Sequence, residues 1–389
     1  MPEPTDAGAV AGLGDRSGVW PDTALRVAID RGWIDAGEFK IGSDRIQPAS
    51  LDLTLGDVAH RLRASFLPDR EPVEHKLKEL SEGRLDLSRG ADGGFLEQGV
   101  SYLVELREKL ALPDGVRARA NPKSSTGRLD VFTRVITDKS YQFDEIPERY
   151  EGKLYLEIAP LSFPIRICEG LSLNQLRLLS GTIPRLTDSQ ILAEHTTDAL
   201  LFGQNGKPTK SPVVANGLLL SLDLIGDDDT GMIGYKARRH TRLLDLTTGE
   251  PADTRDFWEP VFSERGHRIV LEPESFYLLM SQERVRIPPH LASEMVAYDP
   301  TSGELRTHYA GFFDPGFGVS TRRGSGSRAA LEVRAHDVPF LIEHGQGVCK
   351  LSFEYMAQPP ERLYGADVSS NYQGQTSTLS KYFTEATSR

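Results

Sequence analysis

The sequence predicts a mainly β chain of two tandem domains, each a distorted jelly roll or β-barrel opened by one short helix. Three observations predict it. The second half repeats the first in a fixed register about 175 residues later: Tyr102-Leu103 returns as Tyr277-Leu278, Leu156-Glu157 as Leu331-Glu332, and Pro164, Gly170 and Leu176 as Pro339, Gly345 and Leu351. So long a period marks a duplicated domain and not a solenoid unit. The apolar runs are short and are broken by Gly, Pro, Asn and Asp, as strands between turns are. Finally, 24 prolines and 36 glycines in 389 residues suit a loop-rich β protein.

Taken in order, residues 1–18 are small, polar and Gly-rich and read as a loose tail. Pro21-Asp22-Thr23 starts a helix over 24–34, whose Leu25, Ala28 and Ile29 recur at helical spacing, with Gly32 near its end. A second helix candidate, 187–201, opens the other half and places the boundary near Pro184. The expected domains are 19–184 and 185–360, with a closing tail over 361–389. Strands of about five residues are expected at 51–55, 101–106, 154–158, 165–167, 276–280, 330–333 and 348–353. Residues 227–229 and 247–256 read as surface turns.

Composition narrows the function. A net charge of −11 argues against a broad nucleic-acid-binding surface, yet leaves room for a polyanionic small ligand held by local positive charge. No apolar run approaches the roughly 20 residues of a membrane span, and residues 1–16 do not read as a signal peptide. The two cysteines, Cys168 and Cys349, fall at non-equivalent repeat positions, so a reducing cytoplasm is expected.

Four stretches carry candidate chemistry. Asn121-Pro122-Lys123-Ser124-Ser125-Thr126-Gly127-Arg128 gathers hydroxyls, amides and two cations, which suits phosphates or an oriented water. An ordinary Ser/Gly turn would explain it too, but the counterpart at 299–304 has lost both cations. Ala310, Gly311, Asp314 and Phe317 lie in a second stretch whose small residues admit a ligand, whose Asp can accept sugar hydroxyls and whose aromatics can flank a ring; a Gly-Pro hairpin accounts for it as well. Glu157 and Glu332 each end an apolar run. A buried carboxylate there is either hydrogen-bonded for structure or poised as a general base. The tail holds Tyr364, Tyr372, Gln375 and Lys381, which suit a lid over a nucleotide or a disordered end. The basic loop 322–328 reads first as surface.

The sequence has no H-x-E followed by P-C-x-x-C, so a zinc-activated deaminating water is not expected. It has neither a Walker A loop nor a G-x-S-x-G elbow. Together the stretches resemble the dCTP deaminase family of the dUTPase-like superfamily. Ile46-Gln47-Pro48-Ala49-Ser50-Leu51-Asp52-Leu53-Thr54-Leu55-Gly56 is nearly verbatim that family's early strand motif. Lys123–Arg128 is similar to its arginine-Ser-Ser-x-x-arginine segment, with lysine in the first place. Residues 310–317 resemble its alanine-Gly-x-x-Asp-Pro-Gly-aromatic segment, and 372–380 its Tyr-Gln-Gly-Gln closure; both glutamates fall where its catalytic glutamate sits. Asn371 stands where relatives often carry lysine, so Lys381 or Arg323 is expected to replace one phosphate contact.

The resemblance implies two dUTPase-like domains and hydrolytic deamination of dCTP to dUTP. Relatives are usually trimers with sites shared between neighbours. Here the Ser-Ser-x-x-Arg segment survives only in the first half and the Asp-Pro-Gly segment only in the second. The halves are therefore expected to act as the two neighbours of one composite site. Glu332 would be the base, with Glu157 second in line. Ser124 would orient the water, and Arg128 would keep the glutamate ionised. Lys123, Ser125, Gly311, Asp314, Phe317 and the tail would bind substrate. Mg²⁺ would accompany the triphosphate, and dTTP is a candidate inhibitor. A dUTP pyrophosphatase, a bifunctional enzyme releasing dUMP, and a non-catalytic nucleotide-binding protein remain the alternatives.

Overall fold

The structure, a computed structural model, describes residues 17–88, 93–182, 185–227, 230–297, 305–307, 311–319, 326–335, 337–368 and 372–384. Ala310, Arg323, Asn371, the stretch 299–304, Pro184 and most of the N-terminal tail lie outside the described residues. The chain is mainly β with few helices, as expected.

Each half is built mainly on two antiparallel sheets. In the first half one sheet runs Ser81–Asp86, Leu55–Leu62, Tyr102–Ala111, Glu151–Pro160, Val131–Thr137. The other centres on Asn174–Ser180 beside Val116–Pro122. The second half repeats this with Trp258–Phe262, Met232–Ala237, Phe276–Val285, Ser327–Ala335, Leu305–Thr307, and with Gly347–Tyr355 beside Leu291–Ala297. The repeat is kept to the residue, because Glu157 pairs with Leu103 and Glu332 with Leu278. Alternation holds this register, since a slip of one residue would turn every buried side chain outward.

Each half opens with its helix. Asp22–Asp30 begins two residues earlier than expected and stops before Gly32, whose φ of +71° ends it. Asp188–Thr197 is fixed by a capping box. Gln190 donates its amide to the Thr187 hydroxyl, and Thr187 donates its own to the Gln190 side chain. Several strands run longer than the five residues expected; Tyr102–Ala111, Glu151–Pro160 and Phe276–Val285 have ten each. The stretch 247–256 is not a mere surface turn. It ends in the short helix Thr254–Phe257, and its Ala252 is bonded on both sides to the tail, through Tyr382 and Thr384.

The two halves share buried surface. Leu244–Asp245 of the second half pairs with Ile165–Ile167 of the first. Tyr235, Phe257, Trp258, Phe276 and Leu278 belong to the same hydrophobic cluster as first-half residues Leu129, Leu156 and Phe163. Burying a large apolar side chain stabilises by about 1.5–3 kcal/mol, so a shared core of this kind fixes one half against the other. That rigidity is what a site split between them requires. Among the described residues no helix is long and apolar enough to cross a membrane.

Candidate active site

The site is assembled from both halves around a cavity of about 240 Å³. From the first half, Val116–Pro122 runs into a single helical turn, Ser124–Gly127. Thr126 pins this turn by donating its hydroxyl to the Leu173 carbonyl at 2.8 Å. The turn leaves Lys123, Ser124, Ser125 and Arg128 along one wall. The Ser124 hydroxyl has no protein partner among the described residues and is half-buried, so it is available to a ligand or water.

From the second half, Ser327–Ala335 delivers Glu332 to the opposite wall. Its side chain is buried, and its Oε2 has no hydrogen-bond partner among the described residues. The carboxyl lies on the Cα of Gly127, where an added β-carbon would stand 2.6 Å from both oxygens. Burial holds the Glu332 carboxyl well above its ordinary value; Arg128 opposes this and Asp130 adds to it. Arg128 thus acts in the expected direction, favouring the ionised carboxyl, while burial works against it. Its guanidinium is turned to the tail, donating to Gln375 Oε1 at 2.7 Å and to the carbonyls of Thr378 and Leu379 at 3.3 Å. Its Cζ stands 3.8 Å from the Tyr372 ring centroid.

Asp314, also from the second half, is held from the first. Arg177 donates to its Oδ1 at 2.7 Å, and Ser50 to its Oδ2 at 3.3 Å. Phe317 stacks between Phe313 and Tyr364, with centroids 5.0 and 5.9 Å away. Gly311 and Tyr364 line the same wall. At the other end Lys123 forms an ion pair with Asp52. Lys381 faces them, and burial and nearby Lys123 lower its pKa, so this end favours an arriving anion.

The tail is a strap held at both ends. Tyr364 donates its amide to Pro315, while Ser380 donates its hydroxyl to the Ser125 carbonyl at 2.8 Å. Beyond it Phe383 enters an aromatic cluster, 5.4 Å from Phe257 and 5.7 Å from Trp258.

Of the residues singled out from sequence, the cavity gathers all that are described except one. Glu157 is elsewhere. It is buried and accepts from Arg134 Nε at 2.8 Å and from the Ser65 hydroxyl at 3.0 Å. A carboxylate neutralised by its own sheet neighbour serves structure, which corrects its candidacy as a second base. Ala310 is outside the described residues, and Arg328 of the basic loop turns to Asp223 at 2.6 Å. Sequence reading passed over Asp52, Gln175 and Arg177. The signal was present, since each is a polar residue inside an apolar strand run.

A buried carboxyl facing a serine, with lysines at one end and aromatics at the other, defines an enzyme site for a phosphorylated, ring-bearing substrate. Comparison with known proteins gives the particular one. Residues 16–182 match the family described as 2′-deoxycytidine 5′-triphosphate deaminase (DCD) N-terminal domain, and residues 187–383 the corresponding C-terminal domain. The chain belongs to the dCTP deaminase family. A protein of Streptomyces coelicolor named dCTP deaminase, dUMP-forming, is 26% identical over 200 residues, 51% of this chain and 94% of the relative. A dCTP deaminase of Natronomonas pharaonis is 34% identical over 125 residues, 31% of this chain and 60% of the relative. The crystal structure of 2′-deoxycytidine 5′-triphosphate deaminase from Agrobacterium tumefaciens superposes with a TM-score of 0.84 at 45% identity, covering 91% of this chain and all (100%) of that one.

Proposed function

We propose that the chain deaminates dCTP hydrolytically to dUTP and ammonia at one composite site. The observation that carries this is the buried Glu332 carboxyl of one half, its Oε2 without a hydrogen-bond partner among the described residues, seated on the Gly127 turn of the other. A carboxyl pKa raised by burial lets one group both accept and deliver a proton, which typically contributes about 10²–10⁴-fold. Glu332 takes a proton from water as its oxygen attacks C4. It passes that proton to N3. It then takes the second from the new C4 hydroxyl and gives it to the amine as the C4–N bond breaks, leaving the C4 carbonyl and ammonia. Ser124 orients the water. Asp314, aimed by Arg177 and Ser50, reads the deoxyribose. Gly311, Phe317 and Tyr364 flank it. Lys123, Ser125 and Lys381 receive the triphosphate, and Mg²⁺ enters with it as part of the substrate. Arg128 holds Tyr372 and Gln375 in the closed strap.

Assembly as a homo-oligomer with a trimer favoured, inhibition by dTTP and a cytoplasmic location complete the reading. The low cysteine count, two at non-equivalent repeat positions, suits the last. Ion-exchange analysis after incubation with dCTP and Mg²⁺ tests it. A dUTP peak with equimolar ammonia is expected; dUMP with pyrophosphate establishes the bifunctional activity named for the Streptomyces relative, and unchanged dCTP overturns deamination.

A further inference from the structure

Two residues beyond Glu332 and three beyond Gly127 lies a second contact between the halves. Arg334, two positions after Glu332, shares its face of the strand. Asp130, two positions after Arg128, donates its amide to the Gly127 carbonyl at 2.8 Å. Their side chains form an ion pair across the boundary. Asp130 is fully buried, and Ser162 also donates to its carboxylate at 2.5 Å. Arg334 is further tied to the Glu274 carbonyl. Asp130 has a φ of +55°, a conformation that costs a non-glycine residue strain and persists where the surroundings hold it.

The other half offers a comparison. The repeat register that aligns Glu332 with Glu157 aligns Arg334 with Ala159. The strand whose glutamate is tied up in an ion pair thus lacks the cation, and the strand whose glutamate faces the cavity has it.

We propose that Asp130 and Arg334 form a clasp between the halves that positions the Glu332 carboxyl against the Gly127 turn. Neither residue lines the cavity, so they act through Glu332 as positioning residues. The clasp joins the two chain segments that must keep register for the carboxyl to meet water at C4. A misplacement of about 1 Å at such a centre costs on the order of 10²-fold in rate. The Asp130 charge also acts on the carboxyl directly.

This inference rests on Glu332 being the base, so Glu332→Gln is run beside it. Asp130→Asn, Arg334→Gln and the double variant are assayed for kcat, KM, Tm and the pH dependence of kcat. Each single variant is expected to lose about 10–100-fold in kcat with KM within about threefold, and the double to lose no more than the worse single. Asp130→Asn should also move the Glu332 midpoint to lower pH, because a negative charge beside it is gone. Unchanged kcat, additive losses, or losses that follow Tm without a pH shift overturn the clasp. Should a single variant not fold, Arg334→Lys decides: about fivefold loss of kcat at unchanged KM and Tm supports it, and wild-type kcat refutes it. An active Glu332→Gln would remove the base and the clasp together. An inactive one beside fully active clasp variants would remove the clasp alone.

Discussion

The carboxyl of Glu332 rests on the α-carbon of Gly127, two residues from different halves of the chain brought into contact at the centre of the cavity. Gly127 is thus required for its missing side chain. Gly127→Ala would place a methyl 2.6 Å from both oxygens and push the carboxyl aside. We expect kcat to fall by about 10²-fold or more, with a melting temperature close to wild type. Steady-state kinetics beside a thermal melt checks this, and a variant with undiminished kcat refutes the seating.

The two repeat glutamates should respond in opposite ways. Glu332→Gln is expected to lower kcat by about 10²–10⁴-fold. Glu157→Gln should leave kcat within a few-fold and lower stability by about 1–3 kcal/mol, because it removes the charged partner of the partly exposed Arg134. Kinetics and denaturant unfolding of both variants separate the roles; a dead Glu157→Gln enzyme with normal stability would reverse them.

Acidity offers an independent check. A carboxyl whose pKa is raised by folding binds its proton more tightly in the native state. The stability this contributes is full below the ordinary value of 4.5 and is lost as pH rises through the raised one. Glu332→Gln, uncharged throughout, escapes that loss. Its melting temperature should therefore gain on wild type through the pH window that opens at the ordinary value of 4.5. A constant difference across that window would show an unperturbed carboxyl.

The strap should fail from its far end. Phe383 is buried among Phe163, Phe257 and Trp258, and truncating a core phenylalanine costs about 3–5 kcal/mol. Because Phe383 anchors the strap's far end, Phe383→Ala should free the strap. KM for dCTP should rise about tenfold or more, with a change in Trp258 emission. An unaltered KM with altered emission would mean that the anchor does not serve binding.

How much of this was legible in the sequence varies element by element. The repeat register could be read because strand alternation and turn residues are local signals, and both glutamates were found by it. Which of them faces the cavity could not be read. Glu332 and Glu157 occupy the same strand position, and what separates them is a neighbour distant in sequence, Gly127 for one and Arg134 for the other. The stretch 247–256 was mistaken for a free turn because its polar residues outweighed Phe257 and Trp258 just beyond it. Arg177 and Asp130 escaped notice for a similar reason: a charge inside an apolar run shows that a partner exists without saying where.

The meeting of the two halves at one cavity has a consequence for how such a chain can change. In an assembly of identical subunits, any substitution in the base strand is made in every copy. Here the strand that carries Glu332 and the turn that carries Ser124 are encoded separately. Glu157 lies outside the cavity and is free to become a fastening for its own sheet. Duplication thus lets a symmetric constraint become a division of labour, in which one glutamate strand lines the cavity and the other fastens its own sheet.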